Sequence, residues 1–378
     1  MKKILAIVLA LAMIFAFAAC APAAPAADAP ADAPADEPAA DEPMADDEPA
    51  VVDDPVEEDE EIIIGIAMGD LRLERWARDL GYMEDVAAAA GVTAISQSAD
   101  GDEQRQLQQI EAMLTQGAKV IICMPVQSKT MSKAVDAVHE AGAVIIAYDR
   151  IIENADLDYY ITFDMKGVGR LQAQAILELV PKGRYYLLGG QKGDNNGDLF
   201  QAGQKEIWQE YADRGDIEIV AEQWAEGWLE ENAMTVTENA LTATNNEIDA
   251  IIATNDSTAA GAILALEEVG LAGTIPISGQ DANLDACQRI VEGTQTMTVY
   301  KPLIELATAV MEAAVILAQG GTIETTGTYP NGFKDVPSID LEIYSVNIDN
   351  MMDTVIADGF HSFEDVYKNV PEDERPAQ

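Results

Sequence analysis

From Ile62 onward, short apolar runs alternate with stretches of helical periodicity, and several of those runs stop abruptly on planar polar side chains. Val144-Ile-Ile-Ala-Tyr148 ends in Asp149-Arg150. Ile251-Ile-Ala-Thr254 ends in Asn255-Asp256, and Ile275-Pro-Ile-Ser-Gly279 ends in Gln280-Asp281. Continuous Val/Ile runs suit strands buried on both faces, as in a parallel sheet covered by helices. Open sheets of that kind hold their ligands at the carboxyl ends of the strands. The pattern therefore restricts the chain to an α/β architecture in which distant strand ends converge on one site.

The order of the elements extends this reading. Strands are expected at Ile62–Met68, Thr93–Ser98, Val120–Met124, Val144–Tyr148 and Tyr159–Phe163. Helices at Leu71–Ala90, Glu103–Gln116 and Ser128–Ala141 lie between them. A second series follows, with helices at Lys166–Leu179, Leu199–Arg214, Glu230–Thr242 and Ser257–Val269. Its strands are Tyr185–Gly190, Glu218–Trp224, Ala250–Thr254 and Ile275–Ser278. Cys287 falls in a further helix. Such alternation implies βαβ units and parallel sheets. The length exceeds what one core usually holds, so two doubly wound parallel-sheet lobes are expected. The tail breaks the simple order with a strand at Thr296–Tyr300, an apolar helix at Leu303–Ala318 and a late strand at Ile339–Val346. We therefore expect an N-terminal lobe of 62–163 plus 302–338 and a C-terminal lobe of 164–301 plus 339–378. Crossings near Asp164, Lys301 and Ser338 would form a multi-strand hinge that lets the lobes close.

The first residues belong to something else. Met1-Lys-Lys3 precedes an apolar run from Ile4 to Ala18, and Ala18-Ala19-Cys20 follows. A basic start, a short apolar core and small residues make 1–19 a secretory signal peptide. The run is too short for a mature membrane span. Cys20 resembles the lipidated cysteine of a bacterial lipobox, which would anchor the protein to the cell membrane from outside. Residues 21–61 contain 16 acids, no Lys or Arg, and 8 of the chain's 16 prolines. Such a composition cannot bury a core. Residues 20–61 are expected to be a disordered acidic tether, extended by its own charge.

Most of the net charge of −45 lies beyond that tether, which argues against nucleic acid as a partner. Cys123 and Cys287 have no disulfide or metal-ligand spacing and read as buried thiols. The two histidines, His139 and His361, have no nucleophile nearby, there is no Walker loop, and Gly189 to Gly197 lacks the dinucleotide-binding spacing. No calcium loop fits the acidic stretches. Catalysis is poorly supported, and neither metal nor cofactor is expected. The inventory suits a neutral polyol. Asp, Asn and Arg can take adjacent hydroxyls in pairs, and Trp offers a flat face to the C–H side of a pyranose. Trp76 and Trp228 fall at strand-to-helix junctions. Trp208 reads as core, and Trp224 as ambiguous.

Longer motifs sharpen this. Asp70-Leu-Arg-Leu-Glu-Arg-Trp76, Ala147-Tyr-Asp-Arg150, Asp194-Asn-Asn196, Trp224 through Asn232, Thr254-Asn-Asp256, Ser278-Gly-Gln-Asp281 and Gly293 through Pro302 closely resemble the D-xylose-binding proteins of bacterial ABC sugar importers. So does the ending Asp358 through Tyr367. The resemblance runs from about Ile62 to Pro376. It implies the type I periplasmic-binding-protein fold, no enzymatic activity, and a monomer that delivers a monosaccharide, D-xylose, to an ABC permease and ATPase complex. Carried over position by position, it implies that Arg75, Asp149, Arg150, Asn196, Asn255, Asp281 and Lys301 bond sugar hydroxyls. It implies also that Trp76 and Trp228 wall and stack on the ring. A sugar sensor feeding a membrane kinase or chemoreceptor is the alternative. A sugar-responsive transcription regulator lacks support, because the chain has a signal peptide and no basic DNA-binding element.

Overall fold

The computed structural model describes residues 61–377. The signal peptide, Cys20 and the acidic tether lie outside the described residues, apart from Glu61.

The first series begins with β1 (Ile63–Met68), α1 (Glu74–Ala90), β2 (Thr93–Ser98), α2 (Glu103–Thr115) and β3 (Val120–Met124). It continues with α3 (Ser132–Glu140), β4 (Val144–Tyr148) and β5 (Tyr159–Phe163). The second comprises α4 (Met165–Leu179), β6 (Gly183–Gly189), α5 (Asn195–Asp213), β7 (Ile217–Trp224), α6 (Glu230–Ala243), β8 (Ala250–Ala253) and α7 (Asp256–Glu268). Then come α8 (Leu284–Glu292), β9 (Thr298–Tyr300), α9 (Leu303–Ala318), β10 (Gly327–Pro330), β11 (Asp335–Leu341) and β12 (Tyr344–Val346).

Seven strands form one sheet in the order β10-β11-β5-β4-β3-β1-β2, parallel except for the β10–β11 pair. A second sheet has the order β7-β6-β8, all parallel, and β9 pairs antiparallel with β12. The strand order reverses beside β1 in the large sheet and beside β6 in the small one. Those are the points where doubly wound sheets leave a crevice. The apolar runs behave as their composition requires. All five residues of β3 and all four of β8 are buried, since helices cover both faces. The apolar α9 packs over β1, β3, β4 and β5.

Helix placement prepares the site. α4 and α5 cross closely because Gly203 has no side chain; a Cβ there would stand 2.0 Å from the Lys166 carbonyl oxygen. That crossing fixes the start of α5, which carries Asn196. α1 begins at Glu74 rather than Leu71, with Leu73 extended in front of it. α3 likewise begins at Ser132, not Ser128.

Three expectations need correcting. The stretch Ile275–Ser278 is not a ladder strand, and only Ile277 bridges, to Ile251. Pro276 has no N–H to give, and the Ile277 N–H goes to Thr296 Oγ1 at 3.0 Å. The late strand Ile339–Val346 is two strands in two sheets, interrupted at Glu342 and Ile343: β11 pairs with β5 and β12 with β9. The crossing expected at Ser338 therefore falls inside β11, which stays with β5 through Leu341. No helix among the described residues is long and apolar enough to cross a membrane.

Candidate ligand-binding site

The structure brings Arg75, Trp76, Asp149, Arg150, Asn196, Trp228, Asn255, Asp281 and Lys301 to a single pocket, whose wall Leu73, Asp194, Phe200 and Gln280 complete. All but Gln280 and Asp281, which follow the single bridge at Ile277, lie beyond the carboxyl end of a strand. The enclosed space is about 30 Å³, because the side chains reach across to one another. A larger cavity of about 410 Å³ lies at the mouth, lined among others by Arg72, Gln127, Gln191 and Asn232. It shares Leu73, Trp76, Arg150 and Trp228 with the inner pocket.

The wall from the large sheet is a charge network. Arg75, in the first turn of α1, donates through Nε to Asp79 Oδ2 at 3.1 Å and through Nη2 to Asp149 Oδ2. Its Nη1 stands 3.6 Å from Asp281 Oδ1. Asp79 also accepts from the Tyr148 hydroxyl at 2.7 Å. The Trp76 ring lies beneath two guanidinium groups, 4.3 Å from Arg75 Cζ and 5.3 Å from Arg150 Cζ. Burial opposes the Arg75 charge, but Asp149, Asp79 and Asp281 together raise its pKa. Burial likewise pushes Asp149 up, yet Arg75 and Lys301 outweigh it and hold the carboxyl below its ordinary value. Asp79 is carried up to about 6, chiefly by burial. Asp149 sits at φ 58°, a strained region for a residue with a side chain. Its carbonyl is pinned there by hydrogen bonds from Tyr160 Oη at 2.7 Å and Thr162 Oγ1 at 3.1 Å.

The wall from the small sheet relies on amides, an indole and a strained loop. Asp194 caps α5, its Oδ1 accepting the Asn196 N–H at 3.0 Å. Asn196 Nδ2 then reaches across to Asp149 Oδ1 at 2.9 Å. Trp228, at φ 62°, lays its ring on the backbone of Gly190, where a Cβ would fall 2.0 Å from Cε3. Only glycine fits beneath it. Phe200 meets the ring edge-on, with centroids 6.0 Å apart. Asn255 caps α7 with its oxygen in a capping box with Thr258, so the amide nitrogen is the group it has left to offer.

Asp281 (φ 100°) and Ala282 (φ 50°) form the loop that the missing strand leaves behind. Asp256 holds that loop from below. Its buried carboxyl accepts from Gln295 Nε2 at 2.8 Å, Thr298 Oγ1 at 3.0 Å and the Asn283 N–H at 2.9 Å. Burial carries its pKa up to about 8. Lys301 donates to Gln280 Oε1 at 3.1 Å and stands 3.0 Å from Asp281 Oδ1, a contact without hydrogen-bond angles. Burial, with Arg75 nearby, lowers the Lys301 pKa. Asn196 Oδ1 and Asp281 Oδ1 are buried without a hydrogen-bond partner, the latter facing the Lys301 and Arg75 cations at 3.0 and 3.6 Å. Buried polar atoms in native proteins almost always have one, so the neutral Asn196 oxygen in particular has room for a donor.

Sequence reasoning passed over Asp79, Tyr148, Asp194, Phe200 and Gln280. Tyr148, Asp194 and Gln280 stood inside motifs already singled out. Asp79 is four residues after Arg75 on one helix, a spacing that places the two side chains together. His361 is structural, with Nε2 2.7 Å from the Ala282 carbonyl, and His139 pairs with Asp158. Trp224 lies against Gly189, outside the pocket residues. Trp208 is half-buried among apolar neighbours on α5. Cys123 and Cys287 are buried free thiols. No cluster of metal-ligating side chains occurs among the described residues.

A model of the periplasmic binding protein domain matches residues 64–322. The chain belongs to the periplasmic binding protein family. It is 48% identical over 301 residues to the D-xylose-binding periplasmic protein of Escherichia coli K12, covering 80% of this chain and 91% of that one. The protein of the same name from Haemophilus influenzae is 44% identical, covering 80% and 92%. Among solved structures, a carbohydrate transporter solute binding protein from Chloroflexus aurantiacus in complex with D-glucose superposes with a TM-score of 0.77 at 29% identity, covering 81% of this chain and 98% of that one. Members of this periplasmic binding protein family bind solutes, and the chain is a binding protein rather than an enzyme.

Proposed function

We propose that the protein is the solute receptor of an ABC importer, that it works outside the cytoplasm, and that its ligand is a monosaccharide, D-xylose. The observation that carries the reading is the pocket itself. Nine of its thirteen lining side chains were expected from the chain, and they combine paired charges, amides and two indoles with buried acceptors that lack a hydrogen bond. Sugar hydroxyls supply donors, and ring C–H groups suit the Trp76 and Trp228 faces. The names of the two relatives above favour D-xylose.

In this reading Arg75, Asp149, Arg150, Asn196, Asn255, Asp281 and Lys301 bond hydroxyls, and Trp228 stacks on the ring. The enclosed space admits a ring only when groups that now bond across the pocket part and exchange their partners for hydroxyls. The sugar enters through the mouth cavity, and contacts requiring both walls favour the closed form. The closed protein then presents its sugar to the permease and its ATPase. Cys20 would carry the lipid that holds the receptor at the membrane, and the acidic segment would give it reach. The receptor acts as a monomer.

Calorimetric titration with xylose, glucose, ribose, arabinose and galactose tests the proposal. One-to-one binding of xylose with weaker glucose binding is expected. Preference for another of these sugars would move the specificity, and no binding to any would overturn the reading.

A further inference from the structure

The carboxylate of Asp194 belongs to both walls at once. Its Oδ2 lies 3.0 Å from Arg150 Nε and accepts the Trp228 indole N–H at 3.1 Å, while Oδ1 caps α5. Arg150 follows β4 of the large sheet, whereas Asp194 and Trp228 follow β6 and β7 of the small sheet. Arg150 in turn lies over Trp76, its Cζ 5.3 Å from the ring centroid. One link thus runs Trp76, Arg150, Asp194, Trp228, from one indole to the other. The ion pair is nearly buried, with its side chains 12% and 5% exposed, so solvent screens it little. The resemblance gives Asp194 no contact with the sugar.

We infer that Asp194 is a positioning residue that couples closure of the cleft to the setting of Trp228, an inference that rests on the sugar-receptor reading above. The Arg150–Asp194 pair forms only when the two sheets approach, so it favours the closed form by itself. The same oxygen holds the indole, so the ring takes its place as Arg150 arrives. A receptor that is less often closed binds more weakly in proportion to the lost closed fraction.

A double-mutant cycle on the full chain tests this, with Asp194→Asn, Arg150→Gln and the double variant. Asn keeps an acceptor for capping α5 and removes the charge. If Asn costs too much stability, Asp194→Ser also retains a cap. Calorimetry gives the D-xylose Kd, stopped-flow tryptophan fluorescence gives koff, and small-angle scattering without sugar gives the radius of gyration. Asp194→Asn should raise Kd about tenfold, mostly through koff. The same change should do little in the Arg150→Gln background. The sugar-free protein should also expand. Additive effects in the cycle, or an unchanged Kd and koff, would overturn the inference. Should the parent protein bind none of the five sugars, the receptor reading fails, and scattering alone then decides the link. Equal radii for the parent and Asp194→Asn would overturn it.

Discussion

The two walls of the pocket differ in what their polar groups have left to give. On the large-sheet side, Arg75 is shared among Asp79, Asp149 and Asp281, and Asp79 is bonded again by Tyr148. On the small-sheet side, Asn196 and Asp281 each keep a buried acceptor without a hydrogen bond, while strained backbone occurs on both sides, at Asp149 as at Trp228 and Asp281. A saturated network is costly to break. Unsatisfied acceptors can gain from a ligand. The comparison assigns stability mainly to the first wall and ligand discrimination mainly to the second.

The largest effect should come from the saturated side. Arg75→Ala leaves buried carboxylates without their cation, and losing one partner of such a network costs on the order of 3–5 kcal/mol. Thermal denaturation should show a clear drop in Tm together with lost sugar binding. A variant with parental stability would break the comparison. Asp79→Asn comes next. It should lower Tm by less, since an amide can still accept from Tyr148, and should weaken binding only through a looser Arg75.

On the other wall the expectation inverts. Asp281→Ala should raise the Kd for sugar by at least about tenfold, because a matched hydroxyl is worth ~1–3 kcal/mol. Its Tm should fall less than that of Arg75→Ala. Calorimetry showing unchanged affinity would remove Asp281 from the site. Asn196→Ala should behave alike and should also alter the ranking among pentoses.

The smallest effect concerns pH. His361 anchors the loop carrying Asp281. Its Nδ1 is 3.3 Å from an Arg78 nitrogen and its Nε2 is 2.7 Å from the Ala282 carbonyl. Those partners select the neutral ring, with Nδ1 accepting and Nε2 donating. Burial lowers its pKa from 6.5 to about 4. The unfolded chain therefore binds the proton first on acidification. Stability contributed by the neutral ring is present above 6.5 and is lost as pH falls toward 4. Denaturant midpoints measured across that window should decline, and His361→Gln should flatten the decline. An identical slope in the variant would place the acid sensitivity elsewhere.

How far the site could be read from the chain varies with the kind of signal. Asp149, Arg150, Asn255 and Asp281 stand directly behind apolar runs, so period and position betray them. Arg75 and Trp228 were legible through longer motifs. Asp79 was not, and Tyr148, though inside the Ala147–Arg150 motif, looks like an ordinary strand residue until the fold sets both on Arg75. The tail was also hard to read. Ile339 to Val346 alternates apolar and polar only as far as Ile343, with Ser345 and Val346 out of period, and its two ends serve different sheets. Pairing partners distant in sequence decide that division, and the local break in period does not say which strands those partners are.

The amino-acid order by itself determined the alternating α/β grammar and the expectation of two lobes, and its longer motifs pointed to nine of the pocket's thirteen lining residues. Burial and periodicity are local properties of a chain, and motifs survive as strings. Only the tertiary structure decided which of those side chains spend their hydrogen bonds on one another and which keep an acceptor in reserve. Partner choice depends on distances between strand ends far apart in sequence, and those distances exist only once the two sheets face each other.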